Sequence, residues 1–422
     1  MPGPNPRLTA VPDLQALLVC GRLWSTGAPI DEEAVARLRA AVLIDNHRRY
    51  AATIPAYAAL IDEPSPAAAV TLADVRRRFL VTDELFKSYD PIWLREALPE
   101  LSRWLGSIFI ERLTDLDLTA DDVNQWRAAL KRHGVYVTFS SGTGGRPSLV
   151  PRDRLTLTAL RACSGVRLPW ALPPGSYDFL QLVTPGLGLG IQSGATGLAA
   201  GAVRVHRLRA VPFDLRSLAG GAEQRAVPDH DAAIDFLSRS ERPVLVFGTP
   251  AEVAGMVGHL ASADRRVRLL PGSQVVTGGG WKGRTAIRRE DLVQEVTDRL
   301  GVPPGRCVDT YSTSELNTVF LTCGNDRYHI PPCVEPLVVD DLLTPVEGDD
   351  VEGRLAVLDP FALSYPGFVV TGDAVRLRRD PCGCGLPGPT LAAPIVRAAG
   401  AGERGCGTAQ EPARETTGET DR

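Results

Sequence analysis

Strand-like and helix-like segments alternate along this sequence from Gly134 onward, and that alternation restricts the fold more than any other feature. Residues 135–139 (VYVTF) are β-branched and aromatic, and 179–183, 243–247, 274–277, 306–309 and 319–322 read as further strands. Segments 156–163, 231–238, 251–260 and 289–300 carry helical spacing between them. Strands separated by helices need crossover connections, which predicts an α/β fold with a largely parallel sheet. Upstream, from Asp31 to about Lys131, the sequence is helical and arginine-rich, with helices expected over 32–42, 71–79, 93–105 and 121–130. Acidic residues open the first of these, and Thr119-Ala-Asp-Asp precedes the last as a capping pattern. Residues 354–358, 367–371 and 374–377 read as hairpin-like strands of a small β subdomain. The resulting division is a helical part over 1–130, an α/β core over 131–395 and a short extension over 396–422.

Composition narrows the function. The chain has 422 residues, with 46 Lys and Arg against 50 Asp and Glu, a net charge of −4. That balance lacks the basic footprint of a nucleic-acid protein. The uncharged run 184–203 approaches membrane-spanning length but is broken by six glycines and by Gln192 and Ser193, so no membrane span is expected. The N-terminus is proline-broken and does not read as an export signal. Eight cysteines in such a chain favour free thiols or metal ligands over disulfides, and cytoplasm is the expected location. Lysine occurs only at 87, 131 and 282, so any chemistry needing a lysine has three candidates.

Five places offer chemistry. Phe139 to Asp153 (FSSGTGGRPSLVPRD) puts Ser140, Ser141, Gly142, Thr143 and Gly144 directly after a strand. Backbone N–H groups and hydroxyls in such a loop can wrap phosphate oxygens, although the same residues also suit an ordinary turn. It is not a Walker A loop, because no Gly-Lys-Ser/Thr ends it. Gly278, Gly279 and Gly280, followed by Trp281 and Lys282, form either a flat floor for a planar base or a tight turn. In Tyr311-Ser312-Thr313-Ser314-Glu315, the carboxylate suits Mg²⁺ beside phosphates and the hydroxyls suit phosphate oxygens, with a helix N-cap as the other reading. Asp373, in TGD at an expected strand end, suits two ribose hydroxyls or a plain turn. Finally, Cys323, His329, Cys382 and Cys384 are the donor set of a tetrahedral structural Zn²⁺; the alternatives are four unrelated groups, or Cys333 in place of one of them.

The first four motifs, in this order, resemble the adenylate-forming superfamily, which includes acyl-CoA ligases and peptide-synthetase adenylation domains. Within it, Leu85-Phe-Lys87, the loop ending in Pro147-Ser148, Thr277-Gly-Gly-Gly-Trp-Lys282, Tyr328-His-Ile-Pro-Pro332 and Glu403-Arg-Gly-Cys406 resemble the acyl-protein synthetases of bacterial bioluminescence. Phenylacetate-CoA ligases are similar to these, and share the Cys…His…Cys-x-Cys layout. Gly144, Ser312 and Ser314 depart from the family pattern. The resemblance implies ATP and Mg²⁺ as cofactors, a small carboxylic acid as substrate and an acyl-adenylate as intermediate. It further implies thioester formation on Cys406, and an acyl-reductase or carrier as partner. Coenzyme A is the alternative acceptor, and a catalytically degenerate binding protein is the alternative of a different class. It also implies a large domain with stacked sheets. No lysine follows Lys282 and about 25 residues follow Arg397. The family's C-terminal lid is therefore expected to be reduced or absent, with Lys282 or Arg146 supplying part of its positive charge.

Overall fold

The computed structural model describes residues 11–61, 70–140, 146–163, 176–183, 202–208, 229–280 and 287–398. Its strands, in chain order, are β1 (Val81–Thr82), β2 (Tyr136–Phe139), β3 (Leu149–Arg152), β4 (Tyr177–Gln181), β5 (Ala202–Arg207), β6 (Val244–Gly248), β7 (Gln274–Gly278) and β8 (Cys307–Tyr311). They continue with β9 (Phe320–Thr322), β10 (Arg327–His329), β11 (Glu335–Val339), β12 (Asp350–Leu358), β13 (Phe368–Arg378), β14 (Thr390–Ala392) and β15 (Val396–Arg397). Among the described residues thirteen of these form one sheet, ordered β11-β12-β13-β14-β10-β9-β8-β7-β6-β4-β5, with β1 and β15 also paired to β13. β2 and β3 form a separate hairpin.

The expected parallel block is present: β5, β4, β6, β7 and β8 lie side by side and parallel. Every residue of β6 and β7 is buried, as parallel strands covered on both faces require. The helix Pro250–Ser262 enters through a capping box between Thr249 and Glu252, and Arg289–Leu300 stops at Gly301, whose φ of 71° is a left-handed C-cap. Beyond β8 every successive pairing on the main path is antiparallel.

The N-terminal helices are tied to this sheet rather than set apart from it. β1 pairs in parallel with β13, placing Val81 opposite Val369, and Tyr50, Tyr57, Phe79, Phe86 and Trp126 share one apolar cluster with Phe368 and Val370. Buried Glu335 on β11 pairs with Arg39 and Arg76 from two of those helices. Strand β13 thus holds both the helical part and Asp373.

Local features differ from expectation: the helix expected over 32–42 runs to Thr53, and a helix at Pro55–Ile61 follows it. The helix expected over 93–105 is two, Trp93–Glu96 and Leu98–Ser107, because Pro99 has no N–H to continue the first and sits instead in the opening turn of the second. The segments 367–371 and 374–377 are one strand, so Asp373 lies mid-strand and not at a strand end. This strand is long because it serves β1, β15 and β14 in succession along one edge while β12 runs along the other. The helix Pro12–Ser25 is not among those expected from the sequence.

The turn into β13 is tight. A Cβ at Gly367 would overlap Ala362 Cβ and lie 2.9 Å from the Asp359 carbonyl oxygen. Gly367→Ala is therefore expected to cost about 1–3 kcal/mol by overpacking, read as a lowered urea midpoint. An unchanged midpoint would show that the 359–367 segment relaxes freely.

Candidate functional site

The parallel strands β6, β7 and β8 bring their C-terminal ends together, with Gly248 beside Thr277 and Gly278 beside Thr310. Ligands of open α/β sheets bind at such ends. β7 runs out into Gly279 and Gly280, with φ of 85° and 84°, a conformation that needs glycine and leaves the backbone bare. Beneath this floor a buried network fixes the strand ends. Thr277 Oγ1 donates to Asp309 Oδ1 (2.6 Å), Tyr328 OH donates to Asp309 Oδ2 (2.6 Å), and Thr310 Oγ1 donates to the Thr277 carbonyl (2.8 Å).

At the end of β8, Tyr311 OH donates to Asp373 Oδ2 at 3.0 Å. Burial, followed by the Asp373 charge, raises the Tyr311 pKa well above the ordinary tyrosine value, so the phenol stays a donor. Asp373 Oδ1 faces Arg397 Nη1 at 3.3 Å, because β15 places Arg397 directly opposite it. Ser312 Oγ donates to the Thr318 carbonyl (2.9 Å), folding the loop back on itself. Thr313 Oγ1 is buried without a hydrogen-bond partner among the described residues. An orphaned hydroxyl beside a buried carboxylate, Glu315 at 5% exposure, fits a phosphate–Mg²⁺ group.

Lys87, to which the sequence motifs assign no role, is drawn into this site by the fold. Its Nζ donates to Asp83 Oδ2 (2.7 Å) and Glu84 Oε1 (3.2 Å). Burial works against its charge, but Asp83 and then Glu315 and Glu84 outweigh that and raise its pKa, so it remains a cation. Its carbonyl accepts from Arg146 Nη1 (3.1 Å), and Tyr89 OH donates to the Pro147 carbonyl (2.9 Å), which sets this segment against the Ser/Gly loop. Ser140 closes that loop's neck: its N–H donates to the Ser148 carbonyl and its Oγ accepts from the Ser148 N–H. The signal for Lys87 in the sequence is the rarity of lysine, within the motif Leu85-Phe-Lys87. Ser141, Gly142, Thr143, Gly144, Lys282 and Cys406 lie outside the described residues.

Farther along the sheet, ligand atoms of Cys323, His329, Cys382 and Cys384 all lie within 4.8 Å of one another. Cys323 follows β9, His329 ends β10, and the two other cysteines lie between β13 and β14, so the cluster joins the β9–β10 hairpin to that connection. Cys323 Sγ and Cys382 Sγ are 3.6 Å apart, and Cys384 Sγ lies 3.2 Å from His329 Nε2. The sulfurs are too far apart for a disulfide of about 2.05 Å. They are near the edge of roughly 3.8 Å that a tetrahedron with Zn–S bonds of about 2.3 Å would have. Burial, aided by the Arg327 charge, lowers His329 to about 4, so its ring is neutral, as a ligand must be. Burial works to raise Cys382, but hydrogen bonds led by the Cys384 backbone outweigh it and its thiol is lowered. These donors fit zinc. Cys333 is not in the group; it is buried in another apolar cluster with Cys163.

Residues 234–413, a little under half of the chain, match the acyl-protein synthetase family, LuxE. That stretch is similar to the acyl-protein synthetases. It contains the glycine floor, Tyr311, Glu315, Asp373 and the Cys/His cluster, while Lys87 and Ser140 come from outside it. Two relatives are each named long-chain-fatty-acid–luciferin-component ligase. The one from Aliivibrio fischeri is 28% identical over 38% of this chain and 43% of its own length. The one from Vibrio harveyi is 28% identical over 25% and 29%. The chain thus spans less than half the length of the curated relatives it matches. In fold it is similar to 2-hydroxyisobutyryl-CoA ligase. The structure in an open conformation with 2-HIB-AMP and CoA gives a TM-score of 0.57 at 14% identity, over 86% of this chain and 69% of that one. The postadenylation state gives 0.59 at 13%, over 86% and 67%. At such identities the likeness concerns the fold alone. No described helix is long and apolar enough to cross a membrane.

Proposed function

We propose that this chain activates a carboxylic acid with ATP and passes the acyl group to a thiol. The observation that carries this reading is the meeting of Glu315, Lys87 and the neck of the Ser/Gly loop at the strand ends of an adenylate-forming fold. Ser140 to Gly144 would hold the phosphates, Gly278–Gly280 and Tyr311 would border adenine, and Asp373, oriented by Tyr311, would take the ribose hydroxyls. Glu315 would hold Mg²⁺, which when bound neutralises phosphate charge, and Thr313 and Ser314 would donate nearby.

The acid's carboxylate oxygen would attack the α-phosphorus of ATP as pyrophosphate leaves. Protein groups do little covalent work in such a step; placement and positive charge supply the rate. Lys87, with Lys282 or Arg146, would supply that charge. The Cys406 thiolate would then attack the acyl carbon, releasing AMP and leaving a thioester that a partner acyl-reductase or carrier can take. Zn²⁺ at the four-residue cluster would be structural. The free thiols among the described residues suit a reducing cytoplasm.

The relatives' name directs the first trials to long-chain fatty acids. Pyrophosphate release across a panel of acids, with and without coenzyme A, tests the reading. One acid class is expected to release pyrophosphate without coenzyme A and to leave acyl label on the protein. Cys406→Ser is expected to keep the first and lose the second. ATP binding without pyrophosphate release from any acid would remove the catalytic reading, and a requirement for coenzyme A would reassign the acceptor.

A further inference from the structure

Arg152 is fully buried at the end of β3, and among the described residues no carboxylate pairs with it. Its Nε donates to Asn317 Oδ1 (2.9 Å), Nη1 to Thr138 Oγ1, and Nη2 to the carbonyls of Ser314 (2.8 Å) and Leu316 (3.3 Å) and to Tyr365 OH (3.1 Å). The guanidinium also lies over the Tyr365 ring, 5.1 Å from its centroid. The counter-charge is one residue removed: Asp359 accepts from the Asn317 N–H (2.7 Å) and Nδ2 (3.1 Å). Burying a cation among neutral acceptors is unfavourable, so this placement needs a reason beyond packing.

The contacts supply one. Thr138 and Arg152 are diagonal neighbours on one face of the β2–β3 hairpin, Thr138 pairing with Val150 and Arg152 with Tyr136, and the turn end of that hairpin is the neck of the Ser/Gly loop. Ser314 and Leu316 flank Glu315 on both sides. Tyr365 OH donates to the Glu315 carbonyl itself (2.7 Å), and its ring meets Phe86, next to Lys87, edge-on at 5.8 Å. One planar fork therefore touches the loop stem and the Glu315 backbone, and through Tyr365 it reaches the lysine segment. Stretches far apart in sequence meet at this single side chain. An ammonium could not span these directions at once.

We infer that Arg152 is a positioning residue for adenylation, holding Glu315 in fixed register with the stem of the phosphate loop. The inference rests on the proposed acid-activating role of the site. It is tested with Arg152→Lys, which keeps the charge but not the fork, and with Tyr365→Phe, which removes one hydroxyl and keeps the ring.

Hydrogen–deuterium exchange over 312–318 is expected to quicken by about tenfold or more in both variants, with β4 to β8 unchanged. The half-saturating Mg²⁺ concentration for pyrophosphate release is expected to rise several-fold at an unchanged KM for the acid. Exchange over 312–318 that stays at the parent rate, or quickens evenly across the whole chain, overturns the inference, as does unchanged Mg²⁺ dependence. A parent protein that neither binds ATP nor releases pyrophosphate overturns the underlying reading instead, and the exchange result then stands apart from it.

Discussion

Protein purified without chelator is expected to hold about one zinc per chain, and the double variant Cys382→Ser, Cys384→Ser is expected to hold none. Three thiols and a neutral imidazole within 4.8 Å are a closed set of soft donors, and the spacing leaves no open position for a substrate. The effect reaches beyond the metal. His329 ends the strand whose Tyr328 donates to Asp309, and Asp309 in turn holds Thr277 just before the glycine floor. Loss of the metal is therefore expected to lower the melting temperature by several degrees or more and to weaken ATP binding about tenfold, since binding of a structural zinc is part of the folding free energy.

The metal-free protein has a further signature. His329 has its pKa lowered from 6.5 to about 4, so below 6.5 the unfolded chain takes up a proton that the folded chain refuses. The metal-free fold is accordingly expected to lose stability as pH falls from about 6.5 toward 4. Metal analysis settles the first point: zinc content equal in parent and double variant sinks the site.

The Cys/His cluster was legible in the sequence because its chemistry is in the residue identities; the fold gathers it from the ends of β9 and β10 and from the connection between β13 and β14. The parallel strands were legible for the same reason, since continuous runs such as VLVF admit few other structures. Arg152 was not. One arginine among 43 gives no hint of burial, and only the pairing of β2 with β3 turns its guanidinium inward toward Ser314. Asp373 was set at a strand end, because Gly372 before it looks like a turn when the three strands lining one edge of β13 are not in view. Lys87 was visible only as a rare residue type. Its place near the site depends on the fold, which brings it within electrostatic reach of Glu315, more than two hundred residues away.

Lys87→Met is expected to lower the rate of acyl-adenylate formation by about 10²–10³-fold, with a small change in KM for the acid. A fixed cation beside the phosphates acts most strongly on charge that develops as pyrophosphate departs, so its removal falls on kcat more than on binding. Lys87 is anchored at both ends, since Asp83 holds Nζ at 2.7 Å and Arg146 grips the backbone carbonyl. Its raised pKa keeps it charged throughout the neutral range, so activity is not expected to fall on deprotonation of Lys87 until the pH passes above the ordinary lysine value. Lys87→Arg keeps the charge and is expected to recover part of the rate. The competing cation is Lys282, two residues after Gly280 in the sequence. If Lys282→Ala abolishes pyrophosphate release while Lys87→Met leaves it intact, the positive charge comes from the floor side and the Lys87–Asp83 pair is only a staple for the N-terminal helices. If both variants fall, both lysines serve the transferring phosphate. The double variant then separates shared from independent action, because cations acting on the same developing charge give losses that do not add.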